Sequence, residues 1–433
     1  MKKDKKKGIT RRDFIKKAGY TAGAIGIAST FPKLLKPAGA ASKDHILVGR
    51  PLPITGPVAA FAESSPWLDN KALAEINKDG GIYIKEFGKK LPLKVKILDT
   101  ESDPAKAAEL ASRLILRDKI DIMYVSATPA TVSPVSSVCE RFKMPSVSTM
   151  MPNEMFLHGG VYQWCFNASV NVSDFMAAFL QAWNQIQTNK VVGLCAQNDA
   201  DGIAWAQGAI GALGAQGYQL IDMGRFPVGT SDYTTQINGW KKGNVEVLFA
   251  NMAPPDFAAL WRQCFRTGFI PKVCTAGRAG LFPTAMEVIG GDLGLGVTSE
   301  LLFHPAYPFK SSLTGETSKQ FCDAYEKASG KQWTQPIGGC YAGYEILADA
   351  LRRAQTLDKE VIRKALADTN LETLQGLTQF TKDNVAVTPS CCLQWVKGEK
   401  FPFKAVIVAN GNYKNLPVQE RAVSIHELQG KSS

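Results

Sequence analysis

From residue 46 almost to the end of the chain, short apolar runs give way to turn-rich loops and then to amphipathic stretches, over and over. The first copy reads HILVGRPLPITGPVAAFAESSPWLDNKALAEINKDGG. Its apolar run, Ile46 to Val48, has strand character, and a Pro/Gly/Thr-rich loop follows. Ser65 and Pro66 then stand as N-cap and first residue of a helix. Leu68, Ala72, Leu73 and Ile76 recur at three- and four-residue intervals, which gives that helix one apolar face, and Gly80-Gly81 ends it. LKVKILDTESDPAKAAELASRLIL repeats the pattern, and so does DIMYVSATPATVSPVSSVCERF, with Ser133 and Pro134 at cap and first turn. After Asn167 it restarts in KVVGLCAQNDADGIAWAQGAIGAL, QLIDMGRFPVGTSDYTTQINGW and VEVLFANMAPPDFAALWRQCFRTG. Such alternation predicts an α/β fold, with parallel sheets covered by helices on both faces, and two runs of it predict two similar lobes. Ligands of open α/β sheets settle beside the carboxyl ends of the strands. Helices starting after PITGPVAAFAESS, SATPATVS, QNDADG and NMAPPD would aim free N–H groups at one cleft, an arrangement suited to a small carboxylate.

Charge changes the picture at one end only. The formal net charge is +11, which by itself suggests a polyanion-binding protein. Residues 1–43, however, hold 12 Lys/Arg against 2 Asp/Glu, and the remaining 390 residues hold 38 against 37. The body therefore has no electrostatic case for nucleic acid. The leader runs from a lysine-rich start through Thr10-Arg11-Arg12-Asp13-Phe14-Ile15-Lys16, which resembles a twin-arginine export motif. A mildly apolar stretch from Ala18 to Phe31 follows, and then the small-x-small triplet Ala38-Gly39-Ala40. These predict a signal peptide over residues 1–40 and a mature protein that works in the periplasm. The apolar stretch is shorter than the roughly 20 residues a spanning helix needs.

Residue chemistry argues against catalysis. No G-x-S-x-G elbow, H-E-x-x-H helix, P-loop, C-x-x-C-H site or strand-following G-x-G-x-x-G occurs. The four histidines are scattered without metal-ligand spacing, so neither a metal nor a cofactor is expected. Gly208, Gly211, Gly214 and Gly217 recur on a helical stretch, where small residues permit close packing. The nine cysteines read as mostly buried thiols.

Six segments in fixed order carry a family resemblance: PITGPVAAFAES with ALAEINKDGGI, DTESDPAKAAELASRLI, SVSTMMPNEMF, GTSDYTTQINGWKKGNVEVLFANMAPPDFAALWRQCFRTGF, and CYAGYEILADALRRA. Over about residues 46–407 the chain resembles the type I periplasmic substrate-binding proteins of the branched-chain (hydrophobic) amino acid ABC transporter family. That resemblance implies two Rossmann-like lobes with parallel central sheets, joined by three crossover strands and closing over a solute delivered to an inner-membrane ABC permease. It places the crossovers near Asn167, Leu302 to Pro305 and Gly376 to Thr378. Lobe one is then 44–167 plus 304–376, and lobe two is 168–303 plus 377–425, with Trp395 on a returning strand. The family's small lobe-one disulfide has no counterpart, its positions falling near Ser102 and Thr128.

The same resemblance, carried over residue by residue, nominates a ligand site. Thr128 and Thr131 stand in the loop that binds an α-carboxylate in the amino-acid binders. Met150 and Met151 replace part of the following Ala-Thr segment, and Asp201 replaces a clamping Tyr. Phe61 adds apolar lining, Asn167 offers an amide, and Met252 opens the NMAPPD loop. Arg278 stands where an ammonium-binding acid is expected. Three readings of Arg278 remain open: a bidentate partner for a ligand carboxylate, a surface arginine set off by a one- or two-residue misalignment, or a partner of Asp201 across the cleft. The first favours an organic acid, aromatic ones included, over an amino acid. A soluble sensory subunit would use the same closing lobes, and an exported enzyme is the remote alternative.

Overall fold

Strand and helix follow from local sequence, but the layering follows from burial. The computed structural model describes residues 43–430; the arginine pair and the cleavage triplet lie outside them. In the first half, β1 (Ile46–Leu52), β2 (Leu93–Asp99), β3 (Ile122–Ser126), β4 (Ser146–Thr149) and β5 (Cys165–Ser169) alternate with α1 (Ser65–Asn77), α2 (Pro104–Leu116), α3 (Pro129–Arg141) and α4 (Asn153–His158). Strands β3, β4 and β5 are buried along their whole length, as strands covered on both faces must be. Edge strand β2 is half exposed.

The second half repeats the order: α5 (Val172–Trp183), β6 (Val191–Gln197), α6 (Ala200–Leu213), β7 (Gln219–Phe226), α7 (Thr234–Lys242), β8 (Val247–Met252), α8 (Pro254–Arg266), β9 (Val273–Arg278), α9 (Pro283–Ile289) and β10 (Thr298–Leu301). The chain then returns through α10 (Ser318–Ser329), α11 (Pro336–Ala354) and α12 (Lys359–Ala367) to β11 (Val385–Val387), β12 (Cys391–Lys397) and β13 (Phe403–Ala409). One sheet has the order β11-β5-β4-β3-β1-β2, and the other β13-β12-β10-β9-β8-β6-β7. All pairings in the first are parallel; in the second, β12 and β13 add an antiparallel edge. Trp395 lies on β12, as expected. All nine cysteines are buried thiols.

Three local expectations move. α1 starts one residue early, with Ser64 as N-cap and Pro66 in the first turn. α3 starts at Pro129 rather than Pro134, because Thr128 holds an extended N-cap conformation and Pro129 already supplies the first-turn proline. The third crossing does not fall at Gly376–Thr378. Gly376–Gln379 instead pairs with Asn370–Thr373 as a hairpin, and β11 runs beside β5, with Val385 opposite Asn167 and Val387 opposite Ser169. Val385 and Ala386 are buried on that edge, so the apolar gain holds the chain on the first sheet until Thr388. Val385–Val387, within the stretch expected in lobe two, therefore pairs with the first sheet.

A buried ion pair anchors the first sheet to its helices. Arg50 of β1 is fully buried and donates to Asp69 of α1 at 2.6 Å, to Tyr344 of α11 at 2.9 Å and to Ser65 at 3.2 Å. The Tyr124 ring lies 4.6 Å from the guanidinium carbon. Removing one partner of such a pair strands the other charge. Asp69→Ala should therefore lower stability by about 3–5 kcal/mol in urea unfolding followed by tryptophan fluorescence. Arg50→Met on that background should recover much of the loss.

Candidate ligand site between the two sheets

Parallel sheets place their carboxyl ends, and the loops that follow them, on one side. Here the ends of β3 and β4 from the first sheet face those of β9 and β10 from the second across a cavity of about 20 Å³, room for roughly one water. Phe61, Thr128, Pro129, Met150 and Pro152 line one wall; Asp201, Trp205, Arg278, Leu281 and Glu300 line the other; Val170 and Leu302 stand at the crossings. Ala127, Met150 and Arg278 have φ of 146°, 71° and 63°. Each stands at or just past the end of a strand that feeds the cavity. Non-glycine residues in this region cost on the order of 1–3 kcal/mol each and persist where the surrounding fold holds them.

The first wall carries no charged side chain. Thr128 caps α3, is 2% exposed, and its Oγ1 has no hydrogen-bond partner among the described residues. Hydroxyl and helix N-terminus together make an acceptor-seeking end. Phe61 meets Phe282 of the opposite lobe edge to face, with ring centres 5.0 Å apart.

The second wall is charged and dry. Arg278 is 3% exposed. Its Nη1 donates to Asp199 at 2.8 Å, its Nη2 donates to Gln197 at 2.8 Å, and its Nε lies 3.2 Å from Asp201. Asp199 also caps α6 by accepting from the Gly202 N–H at 2.7 Å. Only glycine fits there: a Cβ on Gly202 would stand 2.3 Å from the Gln197 carbonyl. Gln197 accepts from the Ala253 N–H at 2.8 Å and donates to Asp256. Arg278 is thus buried rather than on the surface, and its guanidinium is paired internally with Asp199 and Asp201.

Glu300 is the residue that sequence reasoning missed. It sits on β10, 6% exposed, and one carboxylate oxygen accepts the Arg278 N–H at 2.6 Å. Burial, reinforced by the neighbouring Asp201, pushes its pKa up to about 8; burial likewise raises Asp201 to about 6 against the pull of Arg278. Nothing local marked Glu300, because TSEL reads as an ordinary strand.

Five expected residues thus line the cavity: Phe61, Thr128, Met150, Asp201 and Arg278. Four do not. Thr131 lies in the first turn of α3, its N–H donating to the Thr128 carbonyl at 2.9 Å. Met252 is fully buried core. Asn167 is fully buried and satisfied by protein: its amide donates to Asn153 at 2.8 Å and to the Met151 carbonyl at 2.9 Å, and its oxygen accepts from Ser148 at 2.9 Å. Met151 points instead into a wider groove of about 1,040 Å³ between α4, α5 and α6, lined by Met155, Met176, Leu180 and Ile203. That groove is mostly apolar and lacks converging charged groups.

A folded-state pKa above the unfolded value means that folding favours protonated Glu300. Its contribution is complete below about 4.5 and is lost as pH climbs to about 8. The urea midpoint of Glu300→Gln should therefore gain on that of the parent protein through this window, and parallel curves would count against a buried, displaced carboxyl.

The sequence pattern that defines a family described as periplasmic binding protein matches residues 45–400. A Leu/Ile/Val-binding protein homolog of Brucella melitensis biotype 1 is 25% identical over 374 residues, spanning 85% of this chain and 93% of that one. Two solved structures share the fold. The branched-chain amino acid transporter substrate-binding protein of Streptococcus pneumoniae, in complex with isoleucine, superposes with a TM-score of 0.71 at 17% identity, covering 84% of this chain and 99% of its own. A solute-binding protein of an ABC transporter from Rhodopseudomonas palustris BisB5, in complex with 3,4-dihydroxybenzoic acid, gives 0.67 at 17% identity, covering 88% and 98%.

Proposed function

The chain belongs to the periplasmic binding protein family, and from that premise we propose that it is the extracytoplasmic solute-binding component of an ABC uptake transporter. The observation that carries this reading is the cavity between the strand ends of the two sheets, into which Thr128 faces from one side and Asp201, Arg278 and Glu300 from the other. A cavity of about 20 Å³ admits a solute of several heavy atoms only when its walls part. Three crossings are the places where that motion pivots: 169–171, 302–305 and 388–390. The first and third are tied together, since the Thr388 N–H donates to the Ser169 carbonyl at 2.8 Å and the Asn153 amide reaches Ser169 at 2.9 Å and Ala386 at 3.2 Å. Lobe one on this reading is about 44–169 plus 304–387, and lobe two about 170–303 plus 388–425.

Solute bridging both walls makes more contacts in the closed state and shifts the open–closed balance by that difference. Thr128 and the start of α3 receive the anionic or carbonyl end of the solute. The closed rim is then what an inner-membrane permease reads. The leader, with Arg11-Arg12, is proposed to route the chain through twin-arginine export to the periplasm. The protein holds and releases its cargo without altering it.

Denaturing the purified protein and analysing the extract by mass spectrometry should yield a small organic solute. Adding that solute back should raise the melting temperature, since it binds the native state alone, and should reduce the radius of gyration in solution scattering. An empty extract, together with no response to a panel of amino acids and organic acids, would remove the reading.

A further inference from the structure

A separate pocket of about 360 Å³ opens beside the 302–305 crossing. That volume falls within the roughly 300–1,000 Å³ of small-molecule sites. Helix α10 supplies one wall, and Gln332 and Trp333 follow on the same side. This helix is held against α1 by the Trp67 ring, whose centre lies 5.3 Å from those of both Phe321 and Tyr325. Lys404 and Ala405 of β13, the edge strand of the second sheet, supply the other wall. Gln419 is tied to that strand, its N–H donating to the Ile407 carbonyl at 2.8 Å. His304 of the crossing completes the lining. Its Nδ1 accepts the Ala306 N–H at 3.0 Å, so Nε2 holds the proton and donates to the Ala405 carbonyl at 3.2 Å. Burial lowers its pKa to about 4, and the ring is neutral at pH 7.

Most charges of the pocket are already answered. Asp323 pairs with Lys319 at 2.6 Å, and Glu326 pairs with Lys400. Three polar groups are not. Lys404 has no carboxylate partner among the described residues. Gln419 accepts the Ile407 N–H at 3.0 Å through its oxygen, while its Nε2 has no partner among the described residues. Gln332 Oε1 is closed off from solvent and accepts no hydrogen bond. Such an acceptor is unfavourable until a donor reaches it. The second-sheet wall therefore offers unpaired donors, and the α10 side offers an unpaired acceptor.

We propose that this pocket is a second binding site, apart from the interlobe cavity, for a small carboxylate that also carries an O–H or N–H donor. The carboxylate meets Lys404 and Gln419, and the donor meets Gln332. One wall travels with each lobe on the two-lobed reading, so a bridging molecule fits one lobe angle better than others. Its occupancy is then linked to closure over the solute, and each ligand changes the affinity of the other by the same factor.

Matched probes test the site: malate against succinate, 3-hydroxybutyrate against butyrate, and pyroglutamate against cyclopentanecarboxylate. Each is titrated calorimetrically into the full mature protein, with and without the solute released on denaturation. At least one donor-bearing probe should bind while that solute is present in excess, and more tightly than its donor-free partner. Lys404→Glu should weaken the probe by about tenfold or more, whereas Lys382→Glu, a charge reversal at an exposed lysine just before β11, should leave it unchanged. Gln332→Leu should erase the preference for the donor-bearing member of the pair. Probes that bind Lys404→Glu as well as the parent protein, an equal loss in Lys382→Glu, or no binding by any probe would overturn the site. Probe affinity indifferent to the released solute would overturn the linkage. A site that binds probes in a protein with no cavity solute would instead count against the transport reading and leave the second site standing.

Discussion

A positive charge walled into a dry cleft has to be answered by the protein itself, and the answer to Arg278 organises the second lobe. Its guanidinium draws in Asp199 and Asp201 from the start of α6 and Gln197 from the end of β6. Gln197 in turn holds Ala253 and Asp256 at the start of α8, and Glu300 of β10 accepts the Arg278 N–H. The ends of three strands and the starts of two helices are thereby brought to one point. The strained backbone at Arg278, with φ of 63°, is tolerable because each group around it is already held. Buried ionic clusters are weak evidence for net stability, but this one fixes which side chains face the cavity.

The first lobe contains the same chemistry used to another end. Arg50 and Asp69 form an equally dry pair, capped by two tyrosine rings, between β1 and its covering helices. Nothing in the cavity touches it. Position along a parallel strand separates the two arginines. Arg50 lies within β1 beneath α1 and α11, whereas Arg278 is the last residue of β9, where the sheet opens onto the cleft. Which arginine reaches the cavity is thus decided by its place along the strand rather than by residue type.

The same distinction explains Asn167. Its amide has the donors and acceptors of a ligand-binding residue, yet all of them are used inside a Ser148–Asn167–Asn153 network. Asn153 extends that network to Ser169 and Ala386, so the amides brace the strands that carry the first and third crossings.

Strand, loop and helix were legible because hydrophobic periodicity is a local property; a period of two or of 3.6 shows within a dozen residues. Two lobes were legible in the same way, while Phe61, Thr128, Met150, Asp201 and Arg278, which line the cavity between the sheets, came from the family resemblance. Tertiary structure alone decided what the charges do. Asp199 and Arg278 are 79 residues apart, and Glu300 reaches Arg278 over 22 residues by way of β10. β11 likewise stays on the first sheet because of an apolar edge supplied by β5, more than two hundred residues away. The protonation of a buried carboxyl and the sheet to which a short strand belongs depend on neighbours brought together by folding, and no window of sequence contains them.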